Sequence, residues 1–267
     1  MHKIILEELK KIEATHHVKV LYAIEAGSRA YHLASPQSDY DVRFVYIRPK
    51  EDYLLLNEVR DVIEWKLNDT LDINGWDLQK FLKLMRQSNP SVMEWCASEL
   101  VYLEREEMSY IKALSSEYFS IKKLLYHYYH MALKNWKSLN QTEEVAVKKY
   151  LNIFRPLLTA KWMIHHKTFF DLNFHQLVDD CLDESLKEDM HILIQLKKGN
   201  QMYIKSNSAF HIYIEKTLEE VKEAINHFED KETSWDLLND AFLKVLDRKP
   251  ISLFCSLEEI FKKCRLL

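Results

Sequence analysis

Two aspartates one residue apart, Asp39 and Asp41, are the side chains whose spacing most directly suggests chemistry. The apolar run 42–47 that follows them is typical of a strand. Residues i and i+2 of a strand point to the same face, so these carboxylates should lie side by side. Two such charges repel each other unless a cation lies between them. Mg²⁺, which favours a few carboxylates plus phosphate oxygens, suits this pair better than a softer metal.

A glycine precedes the aspartate pair at the end of another apolar run. The chain has only three glycines, and Gly27 ends the run 18–26, directly before Ser28. The β-branched and aromatic residues of that run predict a buried strand. A glycine at its end permits a sharp turn or lets a ligand approach the backbone. Together with the carboxylates, this turn indicates a nucleotide site.

Between the two predicted strands, residues 26–43 read AGSRAYHLASPQSDYDVR. This stretch resembles the GS…DxD signature of the DNA polymerase beta superfamily of nucleotidyltransferases. Its wording is closer still to a bacterial and phage branch of predicted nucleotidyltransferases that is associated with RNA repair and called RlaP. A bare G-S with D-x-D would be a weak pattern, whereas a contiguous match of this length is a strong one. One departure is His32, where the branch has glycine.

A third carboxylate is expected from a later strand, because the resembled family places one beside the first two. Residues 71–82 read LDINGWDLQKFL and look like that segment, so the role is assigned to Asp72. Asp69 is the competing residue, but its neighbour Asn68 favours a solvated hairpin. Asp77 is interpreted as a charge in the first turn of a helix predicted over residues 76–85.

A polar stripe lies on the longest predicted helix, residues 143–167. Lys148, Asn152 and Arg155 fall at i, i+4 and i+7 and therefore share one face. Such a stripe needs an anionic partner or solvent, and surface snorkelling explains it as well as function does. Residues 148–158, KKYLNIFRPLL, are similar to the KKY…RP segment of the branch. The resemblance therefore implies that this helix closes over the triphosphate.

The activity that the resemblance implies is transfer of a nucleoside monophosphate from NTP to a hydroxyl or phosphate acceptor, with release of pyrophosphate. The acceptor would be an RNA end or a small molecule. The catalytic residues, which would also hold two Mg²⁺ ions, are Asp39, Asp41 and Asp72. The residues expected to contact the nucleotide are Gly27, Ser28, Arg29, Ser38, Arg43, Lys148 and Arg155.

Two other functions stay open. A non-catalytic nucleotide-binding or antitoxin-like module could use the same fold, although the presence of all three carboxylates favours an enzyme. An aminoglycoside-type small-molecule transferase would need an acidic patch for a polycation, and an RNA-end enzyme a basic track for RNA; neither is evident in the sequence, which does not decide the acceptor. The absence of a G-x-S-x-G, Walker or Rossmann motif excludes the usual hydrolase, P-loop and dinucleotide-binding classes.

Composition favours a soluble globular protein. Of 267 residues, 47% are apolar and 29% charged, and the formal net charge of −4 shows no sign of bulk nucleic-acid binding. No apolar stretch approaches membrane-spanning length, and the first residues are too charged for a signal peptide. The four scattered cysteines predict free core thiols. We therefore expect a cytoplasmic protein with no membrane partner and no obligate protein partner.

The predicted fold class is α+β. A nucleotidyltransferase domain over residues 1–105 would contain a mixed sheet with flanking helices, and a helical bundle over 106–267 would close the nucleotide cleft. Sheet strands are predicted over 18–26, 42–47, 59–67 and 70–73, with none after about residue 106. Helices of the second domain are predicted over 121–139, 143–167 with a kink at Pro156, 184–198, 209–228, 235–246 and 253–266. Asn89 and Glu94 are assigned structural roles where one helix stops and the next begins, with Glu94 also a candidate to support the site.

Overall fold

The computed structural model describes residues 1–68, 70–139 and 143–247. The competing aspartate Asp69 lies outside this range, as do the helix predicted over 253–266 and two of the four cysteines, Cys255 and Cys264. The other two, Cys96 and Cys181, are free thiols. Cys181 is buried, as expected of a core cysteine, and Cys96 is half-buried. Burial raises the pKa of Cys96 to about 12 and that of Cys181 to about 11.

A five-stranded mixed sheet forms the N-terminal part of the chain. Its strands are β1 (Lys19–Glu25), β2 (Tyr40–Ile47), β3 (Val62–Asn68), β4 (Leu71–Asp77) and β5 (Val101–Glu104), in the order β3-β4-β2-β1-β5. Strands β2 and β4 pair in parallel, and the other neighbours pair antiparallel. The predicted mixed sheet and the α+β class are confirmed.

Helices flank the sheet and make up most of the remaining chain. They are α1 (His2–His16), α2 (Gly27–Ala30), α3 (Leu78–Arg86), α4 (Pro90–Ala97), α5 (Glu106–Leu114), α6 (Ile121–Lys137), α7 (Val147–His166), α8 (Phe174–Cys181), α9 (Glu184–Lys198), α10 (Ser208–Ile225) and α11 (Asp236–Leu246). A short 3₁₀ helix covers Lys50–Leu54. Side-chain N-caps begin several of these helices where the sequence offers Asn, Ser or Asp, as at Asn173 before α8 and Asn207 before α10.

Both faces of the sheet are buried, which explains why β1 and β2 read as continuous apolar runs rather than as alternating ones. On one face, Ile5, Leu9 and Ile12 of α1 pack against a layer that includes Phe44. On the other face, α3, α5 and α11 pack against the alternate residues of the same strands, including Tyr22. The middle and end of β2 are therefore held between two packed layers, while its first two residues are only half-buried.

A second core is built around α7. Its buried residues, among them Leu151, Phe154 and Leu157, pack against α6, α8, α9 and α10. The proposed boundary between residues 105 and 106 is close to the change from sheet to helices and stays a prediction. Helices α5 and α11 lie beyond it in the chain and nevertheless pack in the core of the sheet.

The prediction that strands end near residue 106 is wrong. Strands β6 (Glu144–Ala146) and β7 (Tyr203–Lys205) form a separate antiparallel pair. Helix α7 therefore begins at Val147 instead of residue 143. Strands of three residues are too short to show a period of two, which is why the sequence pattern did not reveal them.

Strand β4 is longer than predicted and reaches Asp77, so the helix expected from Trp76 begins only at Leu78. Alternate residues of β4 are buried, and this alternation continues through Gly75 to Asp77. The side chain of Asp77 accepts a hydrogen bond from the backbone N–H of Gln79 and caps α3, instead of lying in its first turn. Strand β5 and helices α5 and α8 were not predicted.

Within the described residues, no helix has both the length and the apolar character needed to cross a membrane.

Gly75 gives a test of the pairing between β2 and β4. It lies opposite Phe44, and a Cβ at this position would lie 2.2 Å from the Cε2 and Cζ atoms of the Phe44 ring. We expect Gly75→Ala to lower the free energy of unfolding in urea by about 1–3 kcal/mol, because the buried ring must move. The matched control is Gly199→Ala, whose Cβ would have its nearest neighbour at 3.4 Å. Equal unfolding free energies for the two variants would contradict the register.

Candidate functional site

The turn after β1 is shaped by a contact between Gly27 and Asp41. Gly27 has φ +61°, a left-handed conformation that glycine adopts without a Cβ penalty. A Cβ on this residue would lie only 1.9 Å from Oδ2 of Asp41. The backbone N–H of Ala26 also donates to the carbonyl oxygen of Asp41 at 2.8 Å. The sharp turn expected at this glycine is present, and Asp41 is packed directly on it.

The loop between α2 and β2 is ordered by Arg29. Its guanidinium donates to the carbonyl oxygen of Ser38 at 2.6 Å and to that of Asp39 at 3.1 Å, and its Cζ lies 3.7 Å from the centre of the Tyr40 ring. The Ser38 hydroxyl in turn accepts the backbone N–H of Ser35 at 2.9 Å. Arg29 therefore orders the loop segment that leads to Asp39 and Asp41. Its contact with phosphate stays a prediction.

His32 shows why the resembled branch has glycine at this position. Its φ is +59°, again in the left-handed region, where a non-glycine residue costs about 1–2 kcal/mol. The side chain is exposed, so it meets no steric obstacle beyond this local cost. The departure from the family pattern thus keeps a backbone conformation that glycine would favour.

The parallel pairing of β2 with β4 brings Asp41 and Asp72 together. The two residues are register partners, and the Arg43 guanidinium lies 3.1 Å from Oδ1 of Asp41 and 3.1 Å from Oδ2 of Asp72. Asn74 donates to the other oxygen of Asp72 at 2.7 Å. Arg43 therefore offsets the repulsion between these two carboxylates.

Burial raises the pKa of Asp41 above its ordinary value. The positive charges of Arg43 and Lys148 lower this pKa, whereas the negative charges of Asp39 and Asp72 raise it further. Asp39, Asp72 and Lys148 therefore all lie close enough to act on the Asp41 carboxylate.

An open cleft of about 430 Å³ lies beside this group. Its lining combines the N-terminal loop with the helical part of the chain: Gly27, Ser28, Leu33, Ser35, Gln37, Ser38, Asp39, Asp41, Lys148, Leu151, Asn152, Arg155, Lys197 and Asn200. Seven of the ten predicted site residues are in this set. The other three, Arg29, Arg43 and Asp72, are not among the described residues that line it.

The polar stripe of α7 faces the cleft, since Lys148, Asn152 and Arg155 all line it. Lys148 is exposed and makes no hydrogen bond or ion pair within residues 1–68, 70–139 and 143–247. Arg155 stacks over the buried Tyr31 ring, with Cζ 4.6 Å from its centre. Cationic groups with spare donors beside two carboxylates are suited to a ligand that carries both phosphates and a metal ion.

Among the cleft residues that lie outside the stretches singled out in the sequence are Lys197 and Asn200. Lys197 lies in the last turn of α9, and Asn200 lies in the turn that follows the helix. The only local signal was the basic last turn of α9, which is common at helix ends because it complements the helix dipole. Their position near α7 comes with the packing of α9 on α7 and the hydrogen bond from Val147 to the carbonyl oxygen of Met202, neither of which the sequence revealed.

Glu25, the last residue of β1, was also missed. Its carboxylate is fully buried, and it accepts the backbone N–H of Asp41 at 2.9 Å and the Tyr102 hydroxyl at 2.5 Å. Burial raises the pKa of Glu25, and these two hydrogen bonds lower it. A charged residue inside an apolar strand run, directly before the glycine turn, was the available signal.

Asn89 and Glu94 have the structural contacts expected of them. The Asn89 side chain caps α4 by accepting the backbone N–H of Ser91 at 3.0 Å. Glu94 accepts the Tyr128 hydroxyl at 3.0 Å and so joins α4 to α6. Glu94 also raises the pKa of Tyr31, after the larger effect of burial, which places it near the ring on which Arg155 stacks.

The donor set fits Mg²⁺ in part. Asp39 and Asp41 offer hard oxygen ligands at the cleft, and Mg²⁺ commonly takes one or two carboxylates and completes its shell with water and substrate phosphates. Asp72 is joined to Asp41 through Arg43. Across the part of the chain that the structure describes, no three His, Cys, Asp or Glu side chains form a group that could hold a metal ion by themselves.

A mixed sheet with a glycine–serine turn, an aspartate pair at the start of the adjoining strand and a helical part beside the cleft defines the class of polymerase beta-type nucleotidyltransferases. The chain belongs to the RNA repair pathway DNA polymerase beta family, RlaP, whose model matches residues 1–244.

Two further comparisons accompany this match. The chain is 37% identical over 252 residues to the uncharacterized protein YcgL of Bacillus subtilis strain 168, covering 92% of this chain and 97% of that protein. Among solved structures, a nucleotidyltransferase-like protein from Exiguobacterium sibiricum 255-15 matches with 11% identity. That match covers 83% of this chain and 75% of the other, and its TM-score of 0.28 is too low to support a functional argument.

The contact between Gly27 and Asp41 can be tested by a double-mutant cycle. We expect Gly27→Ala to lower the free energy of unfolding by about 2–4 kcal/mol, because a left-handed residue gains a Cβ that overlaps a carboxylate. In the Asp41→Ala background the overlapping oxygen is gone, and the cost should fall to about 1–2 kcal/mol. Urea denaturation of the four proteins measures both values. Equal costs in the two backgrounds would show that the carboxylate does not lie on the glycine.

Proposed function

We propose that this protein is a Mg²⁺-dependent nucleotidyltransferase that transfers a nucleoside monophosphate from NTP to the end of an RNA. The observation that carries the proposal is the cleft in which Asp39 and Asp41 meet Lys148 and Arg155. Carboxylates suited to a hard cation and cations suited to phosphate occur there together, as a metal-bound triphosphate requires.

The proposed reaction is an in-line displacement. The acceptor oxygen forms a bond to the α-phosphorus of the NTP, the bond from that phosphorus to the oxygen bridging the α- and β-phosphates breaks, and pyrophosphate leaves. The proton of the acceptor hydroxyl passes to the carboxylate of Asp72, a positioned general base. Its partners Arg43 and Asn74 hold that carboxylate in a fixed orientation.

The residues of the chain divide the remaining tasks. Asp39 and Asp41 would hold a Mg²⁺ ion shared with the triphosphate, and Asp41 with Asp72 would hold a second. Bound Mg²⁺ supplies neutralisation of phosphate charge and a lower pKa for the acceptor hydroxyl. The backbone N–H and hydroxyl of Ser28, beside Gly27, would bind phosphate oxygens, with Ser38 and Arg29 ordering the same wall.

The leaving pyrophosphate would be bound by the helical wall, the side of the cleft formed by α7 and the end of α9. Lys148 and Arg155 present charged donors to the cleft, and Lys197 adds a third cation from α9. Charge-assisted hydrogen bonds to phosphate are about twice as strong as neutral ones. They stabilise the charge that develops as the bridging bond breaks.

An RNA end is preferred over a polycationic small molecule as the acceptor. The family is described as belonging to an RNA repair pathway. The cations of the cleft are assigned to the pyrophosphate, so the choice of acceptor rests on this family description.

The reaction is tested by incubating the protein with each α-labelled NTP, Mg²⁺ and either a pool of RNA ends or a small-molecule extract. We expect label to enter RNA, and Asp41→Asn to abolish transfer because an amide does not replace the carboxylate as a metal ligand. Label in the small-molecule pool alone would overturn the choice of acceptor. NTP binding without transfer to either pool would instead favour the non-catalytic module.

The helical wall is tested by two neighbouring lysines of α7. Lys148→Ala should raise the NTP dissociation constant about tenfold or more, since it removes a charged contact worth about 1.5–3 kcal/mol. Lys149→Ala is the matched control, because Lys149 donates to the Ser138 carbonyl and does not line the described cleft. Calorimetry with NTP and with the bare nucleoside measures both effects. Equal losses in the two variants, or an equal loss for the nucleoside, would exclude a phosphate contact at Lys148.

A further inference from the structure

A fully buried carboxylate lies directly behind the aspartate pair. Glu25 has no exposed surface, and its side chain does not line the described cleft. Burying a carboxylate costs free energy unless hydrogen bonds satisfy it, so its retention beside the site requires a physical reason.

The reason lies in the way the β1–β2 ladder ends. Its last register pair is Glu25 with Val42, after which the chain turns away at Gly27. At the next position, the N–H of Ala26 donates to the carbonyl oxygen of Asp41, which completes one half of a backbone pair. The other half is supplied by a side chain, since the N–H of Asp41 donates to Oε1 of Glu25. Glu25 thus replaces the backbone carbonyl that the turn removes.

The same carboxylate is fixed from the opposite side by β5. The Tyr102 hydroxyl donates to Oε2 of Glu25 at 2.5 Å. The backbone of Glu25 is held as well, because its N–H donates to the carbonyl oxygen of Leu100 and its own carbonyl oxygen accepts the Ser98 hydroxyl at 2.9 Å. A continuous set of hydrogen bonds therefore runs from β5 through Glu25 to the backbone of Asp41.

We propose that Glu25, held by Tyr102, is the positioning residue that orients the Asp41 carboxylate for a divalent cation. This inference rests on the proposed function, because it assigns Glu25 and Tyr102 to the metal site of that reaction. Neither residue touches the ligand. Their effect passes through the backbone of Asp41, whose carboxylate is confined by Gly27 on one side and Arg43 on the other.

Tyr102→Phe is the main test, because it deletes one hydroxyl and keeps the ring. The probe is Mn²⁺, titrated by calorimetry in the presence of a saturating α,β-methylene NTP analogue that cannot react. We expect the dissociation constant of Mn²⁺ to rise about threefold to tenfold, the range for loss of one hydrogen bond. The affinity for the same analogue without metal should stay within about twofold, because no nucleotide contact is removed.

Tyr53→Phe is the matched control. The Tyr53 hydroxyl donates to the buried carboxylate of Asp77 at 2.8 Å, which is the same kind of hydrogen bond on another part of the sheet. Both variants should lose a similar amount of thermal stability, but only Tyr102→Phe should weaken Mn²⁺ binding. A purely structural role for Tyr102 would leave the two variants alike in metal affinity.

Substitutions at Glu25 separate the hydrogen bond from the residue's size. Glu25→Gln retains an oxygen that can accept the N–H of Asp41, and its NH2 group can donate to the Tyr102 hydroxyl oxygen, so both contacts are kept and Mn²⁺ affinity should stay close to that of the wild type. Glu25→Ala removes the acceptor and should weaken Mn²⁺ binding at least about tenfold. If Glu25→Ala fails to fold, the comparison of Tyr102→Phe with Tyr53→Phe still decides the matter.

The outcomes separate this inference from the proposed function. Wild-type protein that binds Mn²⁺ with the analogue, together with Tyr102→Phe that binds Mn²⁺ equally well, would overturn the positioning role alone. Glu25→Gln as weak as Glu25→Ala would also overturn it, since an acceptor oxygen would then not suffice. Wild-type protein that binds no metal with the nucleotide would overturn the inference and the proposed metal-dependent function together.

Discussion

The close approach of the Asp41 carboxylate to the α-carbon of Gly27 is the constraint on which the site depends. It requires a residue without a side chain at the end of β1, and this residue also makes the left-handed turn into α2. Because the chain turns away at Gly27, the N–H of Asp41 has no backbone partner on β1. It donates instead to the side chain of Glu25. A single steric condition thus determines the backbone path, the carboxylate position and the buried acid behind it.

The same segment connects the site to the helical part of the chain. Ala30, Tyr31 and Leu33, which follow the glycine turn, are buried in the core built around α7 and not in the core of the sheet. Arg155 stacks on Tyr31 and lines the cleft from that side. The loop that carries the aspartates is therefore packed by one core at its ends and by the other at its middle, so both walls of the cleft are in contact with the same loop.

The part of the site that sequence alone could predict is the part that is contiguous in the chain. Gly27, Asp39 and Asp41 lie within one short stretch from the end of β1 to the start of β2, so the turn and their closeness in the chain suffice to bring them to one cleft, although Asp39 precedes the strand. Lys148 and Arg155 followed from helical spacing only with the help of a family resemblance. Lys197 and Tyr102 could not be predicted, because their positions depend on strands of three and four residues whose pairing is set by tertiary contacts. The same limit explains why the end of β4 was misplaced, since the apolar spacing after Ile73 fits a strand and a helix equally well.

The small β6–β7 pair has a mechanical consequence for the helical wall of the cleft. Strand β6 leads directly into α7, and β7 follows shortly after the turn at the end of α9. Their ladder, extended by the hydrogen bond from Val147 to Met202, joins the base of the helix that bears Lys148 to the segment that bears Lys197 and Asn200. Any displacement of α7 towards the aspartates therefore carries the end of α9 with it. Lys148 and Lys197 are thereby presented to the cleft as a pair whose spacing is set by backbone hydrogen bonds.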